Sequence, residues 1–263
     1  MRTLFLGDLE AQYKICRQEL EQQLLPEVDC VISLGNLISC SRAAKDRKDL
    51  GRNEVVLTFW DRIELPKVRL AGPNEIMALN FPKEWTNNAS NTVLRDSWLS
   101  EEPTMVAAAV EKGRLLTHGG LTYGEWLNLG RPQTAVEAAE LINEKYLRTL
   151  NQGPCFKTDG TPSIQANPLW ADPVLELYPS WVMAPEPCPF DQVHGGESLN
   201  TVLGRAAASY ETHPLSYVDS LSYRKFGSLT VIQGSVFRAI DLDLPPTLVN
   251  GVPSDRAFYI EAS

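Results

Sequence analysis

Five short apolar runs along the chain each end at a glycine-bearing turn: Thr3–Leu6 before Gly7, Val28–Leu34 before Gly35, Val68–Ala71 before Gly72, Arg114–Thr117 before His118–Gly119, and a run closing at His194–Gly195. Runs this short cannot make amphipathic helices of useful length. They read as buried strands whose carboxyl ends deliver loops, which is where α/β folds place their ligands. Between the first two runs, Tyr13, Cys16, Leu20 and Leu24 recur at helical spacing with Gln and Glu opposite. This predicts an amphipathic helix over Glu10–Leu25, stopped by Pro26. A second helix is predicted over Thr134–Leu150.

The rest of the chain fills out an α/β plan. Residues Asn151–Pro189 carry Pro154, Pro162, Pro168, Pro173, Pro179, Pro185, Pro187 and Pro189, a density that favours a long ordered loop over regular structure. Trp170, Tyr178 and Trp181 within it either pack over the core or form a binding rim. Beyond His194, Leu215–Val218, Leu229–Gln233 and Val236–Leu242 alternate as strands of a second sheet. At 263 residues the chain suits one domain with a large core.

Composition narrows the function classes. A net charge of −9 argues against a dedicated nucleic-acid surface. The five cysteines, Cys16, Cys30, Cys40, Cys155 and Cys188, show no metal-ligand spacing and suit a reducing compartment. MRTLFLGD enters a strand at once, which leaves no room for a signal peptide, and no apolar run approaches the ~20 residues of a membrane span. A cytoplasmic protein without membrane contact is expected.

The loops themselves read LFLGDLE (Asp8, Glu10), VISLGNLIS (Asn36, Ser39), LAGPNEIMAL (Gly72, Pro73, Asn74, Glu75), LLTHGG (His118) and QVHGGES (His194, Gly196). In order and spacing they resemble the five motifs of the calcineurin-like metallophosphoesterases: DxH, GDxxD, GNH[DE], H and GH. LTHGGLTYGEW, Leu116–Trp126, is also similar to segments of bacterial and phage phosphoesterases of that family. The resemblance implies a layered αββα sandwich of two mixed sheets flanked by helices. It also implies a cleft on which Asp8, Glu10, Asn36, Asn74, His118 and His194 converge.

The same resemblance shows what has been lost. Asp8 and His118 keep the family's ligand residues. Glu10 stands for a histidine, Asn36 for the aspartate that bridges two metals, Ser39 for the second aspartate of its motif, Pro73 for an asparagine ligand, Asn74 for the catalytic histidine and Gly196 for a histidine. Two divalent cations about 3.5–4 Å apart repel by on the order of 15–20 kcal/mol at an effective dielectric near 20, so an anion must bridge them. A neutral Asn36 supplies none, and Asn74 cannot shuttle a proton as an imidazole does. The whole chain holds only three histidines, His118, His194 and His213.

Three functions follow as expectations. The first is a pseudo-phosphoesterase that binds a protein partner or assembles, with no catalytic residue, no cofactor, and Trp170 and Trp181 as binding residues. The second is a hydrolase in which Asp8, Glu10, Asn36 and His118 hold a single Mg²⁺, Mn²⁺ or Ca²⁺. The third is a small-ligand or nucleotide-binding module. Glu75 is read as a structural partner to backbone or to an arginine.

Overall fold

The computed structural model describes residues 1–7, 9, 20–22, 24–38, 47–80, 88–99, 103–146, 167–195, 229–239, 247–249, 252–254 and 258–262. Asp8, Glu10, Ser39, Gly196, His213, the predicted strand Leu215–Val218 and most of the predicted helix Glu10–Leu25 lie outside them. At that helix's expected end, residues 20–22 and 24 are wound as π-helix, and Pro26 sits in the 3-10 turn, Leu25–Glu27, that follows.

Two five-stranded sheets stack face to face. The first contains β1 (Arg2–Leu6), β2 (Cys30–Ser33), β3 (Lys67–Leu70), β4 (Met105–Val106) and β12 (Phe258–Ala262), in the order β12-β1-β2-β3-β4. β1 to β4 pair in parallel, and β12 closes the edge antiparallel to β1. The second contains β5 (Ala108–Glu111), β6 (Arg114–Thr117), β7 (Gln192–His194), β8 (Leu229–Ile232) and β9 (Ser235–Ala239), in the order β5-β6-β7-β9-β8. Its centre is parallel and its two edges antiparallel. β10 (Thr247–Val249) and β11 (Val252–Ser254) pair antiparallel in a small sheet of their own, with β10 close to β12.

Side-chain alternation assigns the layers. Phe5, Ile32, Leu34, Leu70, Leu116 and Val193 form the apolar seam between the sheets. On the other face of the first sheet, Leu4, Leu6 and Val31 pack with Val56 and Trp60 of helix α1 (Arg47–Asp61). The outer face of the second sheet meets α4 (Tyr123–Asn128), α5 (Ala135–Tyr146) and α6 (Tyr178–Val182) through Trp126, Ile142, Tyr146 and Trp181. Helices α2 (Pro73–Asn80) and α3 (Asn88–Leu99) join that apolar cluster through Ile76, Leu79 and Leu94. The result is the expected αββα sandwich of two mixed sheets.

Arg114–Thr117 lies in the second sheet, so His118 and His194 follow adjacent parallel strands. Of Asn151–Pro189, the described part is not simply loop: Pro173–Leu177 forms a π-turn that runs into α6. Antiparallel strands β5–β6 and β8–β9 are joined by Lys112–Gly113 and Gln233–Gly234, all four residues with positive φ. Such two-residue turns match the right-handed twist of the strands they connect. Among the described residues, no helix is long and apolar enough to cross a membrane.

Candidate functional site

The site lies where β2, β3, β6 and β7 end. Gly35 has φ +99°, and a Cβ there would stand 2.7 Å from the Gly72 amide nitrogen and 2.8 Å from His118 Nδ1. At Gly72 a Cβ would stand 2.5 Å from Asn36 Oδ1. Three loops therefore touch through the space side chains would take, and only glycine permits it. Asn36 follows with φ +53°, a left-handed conformation asparagine tolerates better than most residues.

Asn36 is the centre of the arrangement. Its backbone N–H donates to Glu75 Oε2 at 2.9 Å, and its Oδ1 accepts the Asn74 N–H at 2.9 Å. That leaves Nδ2 facing His118 Nε2 at 3.4 Å. The His118 Nδ1 lies 2.7 Å from the Leu34 carbonyl, which can only accept, so Nδ1 carries the proton and Nε2 accepts from Asn36. Asn74 adds a bond from its Nδ2 to the Ile38 carbonyl at 2.9 Å.

Glu75 explains the odd motif GPNE. With Gly72 preceding α2, Pro73 takes the first helical position, where a missing N–H costs nothing. Glu75 then occupies the third, from which a carboxylate reaches back to the residue before the helix. It accepts from Gly72 N at 3.0 Å and Ile38 N at 3.2 Å in addition to Asn36 N. The side chain is fully buried. Burial pushes its carboxyl upward, and the backbone N–H groups of Ile38, Gly72 and Asn36 pull it back.

The second imidazole is equally engaged. His194, at the end of β7, donates from Nδ1 to the Gly195 carbonyl at 2.8 Å and accepts the Tyr178 hydroxyl at Nε2 at 2.9 Å. Both rings are buried. Burial lowers each to about 4; for His118 the Leu34 bond raises it and the nearby His194 lowers it further, while for His194 the Gly195 bond raises it. Both are therefore neutral near pH 7.

The site gathers Asn36, Asn74, Glu75 and His118; His194 is tied instead to Tyr178. Trp170 is half-buried against the core, in the turn laid over Gly119, where a Cβ would meet the Ala171 nitrogen at 2.5 Å. Trp181 has no exposed surface, and its indole N–H donates to the Leu121 carbonyl at 2.7 Å. It packs with Tyr123, Trp126 and Phe237. Of the two places open to it, core or binding rim, Trp181 takes the core, and its role as a binding residue does not fit that burial.

Sequence reading missed Arg69 on β3, which is 2% exposed with none of its three guanidinium nitrogens hydrogen-bonded. An arginine within an apolar strand was the signal.

Among the described residues, which do not include Asp8, Glu10 or Ser39, no group of three or more His, Cys, Asp or Glu side chains is placed to hold a metal ion. Asn36 Oδ1 and His118 Nε2, the donors closest to a ligand role, are already bonded to Asn74 and Asn36.

No protein-family model matches the sequence, and no curated protein matches it either. Among solved structures the chain is similar to a cold-active protein-tyrosine phosphatase of a psychrophilic Shewanella species, at 15% identity and a TM-score of 0.37. The match covers 54% of this chain and 48% of that one. A mutant of a cold-active protein tyrosine phosphatase matches at 13% identity and a TM-score of 0.34, over 54% of this chain and 47% of that one. The chain thus spans about half the length of these structures. Likeness at this level fixes neither a family nor a chemistry.

Proposed function

We propose that the chain is a pseudo-phosphoesterase, related to the calcineurin-like family, which binds a protein partner or assembles and does not turn over phosphoesters. One observation carries this reading. The backbone N–H, Oδ1 and Nδ2 of Asn36 are engaged with Glu75, Asn74 and His118, so hydrogen bonds join the loops on which the resemblance would place two cations. A neutral amide in that place removes the bridging charge a metal pair requires. In this reading the protein is cytoplasmic and contacts neither nucleic acid nor membrane. The half-buried Trp170, near the cleft loops, is the surface aromatic proposed for recognition.

A second reading has its own support. The Leu34 carbonyl fixes His118 with its proton on Nδ1, the tautomer in which Nε2 can ligate a metal. With Asp8 and Glu10 that would make a weak site for one Mg²⁺, Mn²⁺ or Ca²⁺ and an altered hydrolase.

Hydrolysis of phosphomonoesters and diesters in added Mn²⁺ separates the two. Rates at background in the wild-type protein support the pseudoenzyme. Turnover that is abolished by Asp8→Ala or by His118→Ala establishes the hydrolase, since a contaminant would not respond to either change.

A further inference from the structure

Three backbone N–H groups from two different loops, those of Asn36, Ile38 and Gly72, converge on one buried carboxylate. Converging main-chain donors, with left-handed residues at Gly35 and Asn36 shaping the loop, make the kind of concavity that binds anions throughout protein structures. In this chain the concavity is closed by Glu75, whose side chain enters from the first turn of α2. A second observation is independent of that loop. The buried guanidinium of Arg69 makes no hydrogen bond, and Glu75 is the first of the two carboxylates that act on it through space, ahead of Asp61. A cation left without a bonded partner adds positive potential where an anion sits.

We propose that Asn36, Ile38 and Gly72 form a backbone socket for a small carboxylate, and that Glu75 is its tethered ligand. The side chain does for the loops what a bound ion would do: it ties the end of β2 to the start of α2 from inside. A socket of this kind accepts a free monocarboxylate of similar shape, formate or acetate, once the tether is cut. The proposal concerns the ligation of Glu75 alone and stands whether the protein proves to be a pseudoenzyme or a single-metal hydrolase.

The test is chemical rescue in the full-length chain. Glu75→Ala is expected to melt several degrees below wild type in sodium chloride and to regain part of that loss as sodium formate or acetate replaces the chloride at constant ionic strength. The rescue should saturate, should be absent in wild type, and should need more formate in Glu75→Ala/Arg69→Met. Amide hydrogen exchange at Asn36, Ile38 and Gly72 should quicken in Glu75→Ala and slow again in formate, a local readout that general stabilisation would not confine to three residues. If Glu75→Ala does not fold in chloride, refolding in formate replaces the melt, and recovery in formate alone supports the socket. A melting temperature indifferent to formate and acetate, or no recovery in either salt, overturns it.

Discussion

At the position where the resembled family carries a bridging aspartate, asparagine brings no charge and adds two N–H donors. Both changes have structural consequences here: the amide oxygen takes the Asn74 N–H, and the amide nitrogen turns to His118. The two buried imidazoles, His118 and His194, contribute to the response to acid. Each has its folded value lowered from 6.5 to about 4, so between those limits the unfolded chain binds protons that the folded chain does not. Their contribution is fully present above pH 6.5 and is lost as pH falls through about 4. Shifts of that size correspond to about 3 kcal/mol per ring. Urea midpoints should therefore fall steeply over that pH range, and His194→Gln, keeping a polar partner for Tyr178, should flatten the slope; an unchanged slope would contradict the assignment. Arg69 gives a second prediction. Burial pushes its guanidinium downward against the pull of Glu75 and Asp61, and none of its three nitrogens is hydrogen-bonded. Arg69→Met, similar in volume and without charge, removes those unbonded buried donors and should raise the melting temperature. A lowered melting temperature would mean that the guanidinium is a net stabilising partner of Glu75.

At the scale of elements, Trp181→Ala and Trp170→Ala should behave differently. Trp181 is fully buried at the centre of an aromatic cluster, and its truncation should cost about 3–5 kcal/mol in a denaturant melt. Trp170 keeps part of its ring in solvent and should cost distinctly less; equal losses would contradict the burial argument. The strands were legible in the sequence because each is a short apolar run ending at glycine, and β1, β2, β3, β6 and β7 fall where those runs lie. The helices were less so. α1 carries no regular apolar stripe, since Arg47, Lys48, Asp49 and Arg52 crowd its first turns, and α2 was hidden inside GPNE. Had Pro73 been read as a first helical residue and Glu75 as its capping carboxylate, the helix start would have been plain. Among the site residues, Asn36 and His118 come together as the resemblance implied. The Tyr178–His194 bond and the buried Arg69 rest on packing between distant segments, which no local pattern encodes.

At the scale of the whole molecule, the two sheets share one apolar seam, and the motif loops gather at a single end of it. The sandwich brings Gly35 and Gly72 into close approach, and Asn36 and Glu75 tie those loops through protein hydrogen bonds. On this account the fold serves recognition: Asp8→Ala with His118→Ala should leave the assembly state of the protein, read by sedimentation, as in wild type. A change in assembly on loss of those two side chains would make the cleft the functional surface. The central proposal is that hydrogen bonds, and not a metal pair, join the motif loops. Anomalous diffraction from crystals grown in excess Mn²⁺ tests it most directly. The account predicts at most one weak peak near His118 and Asn36; two strong peaks within about 4 Å of each other would contradict it.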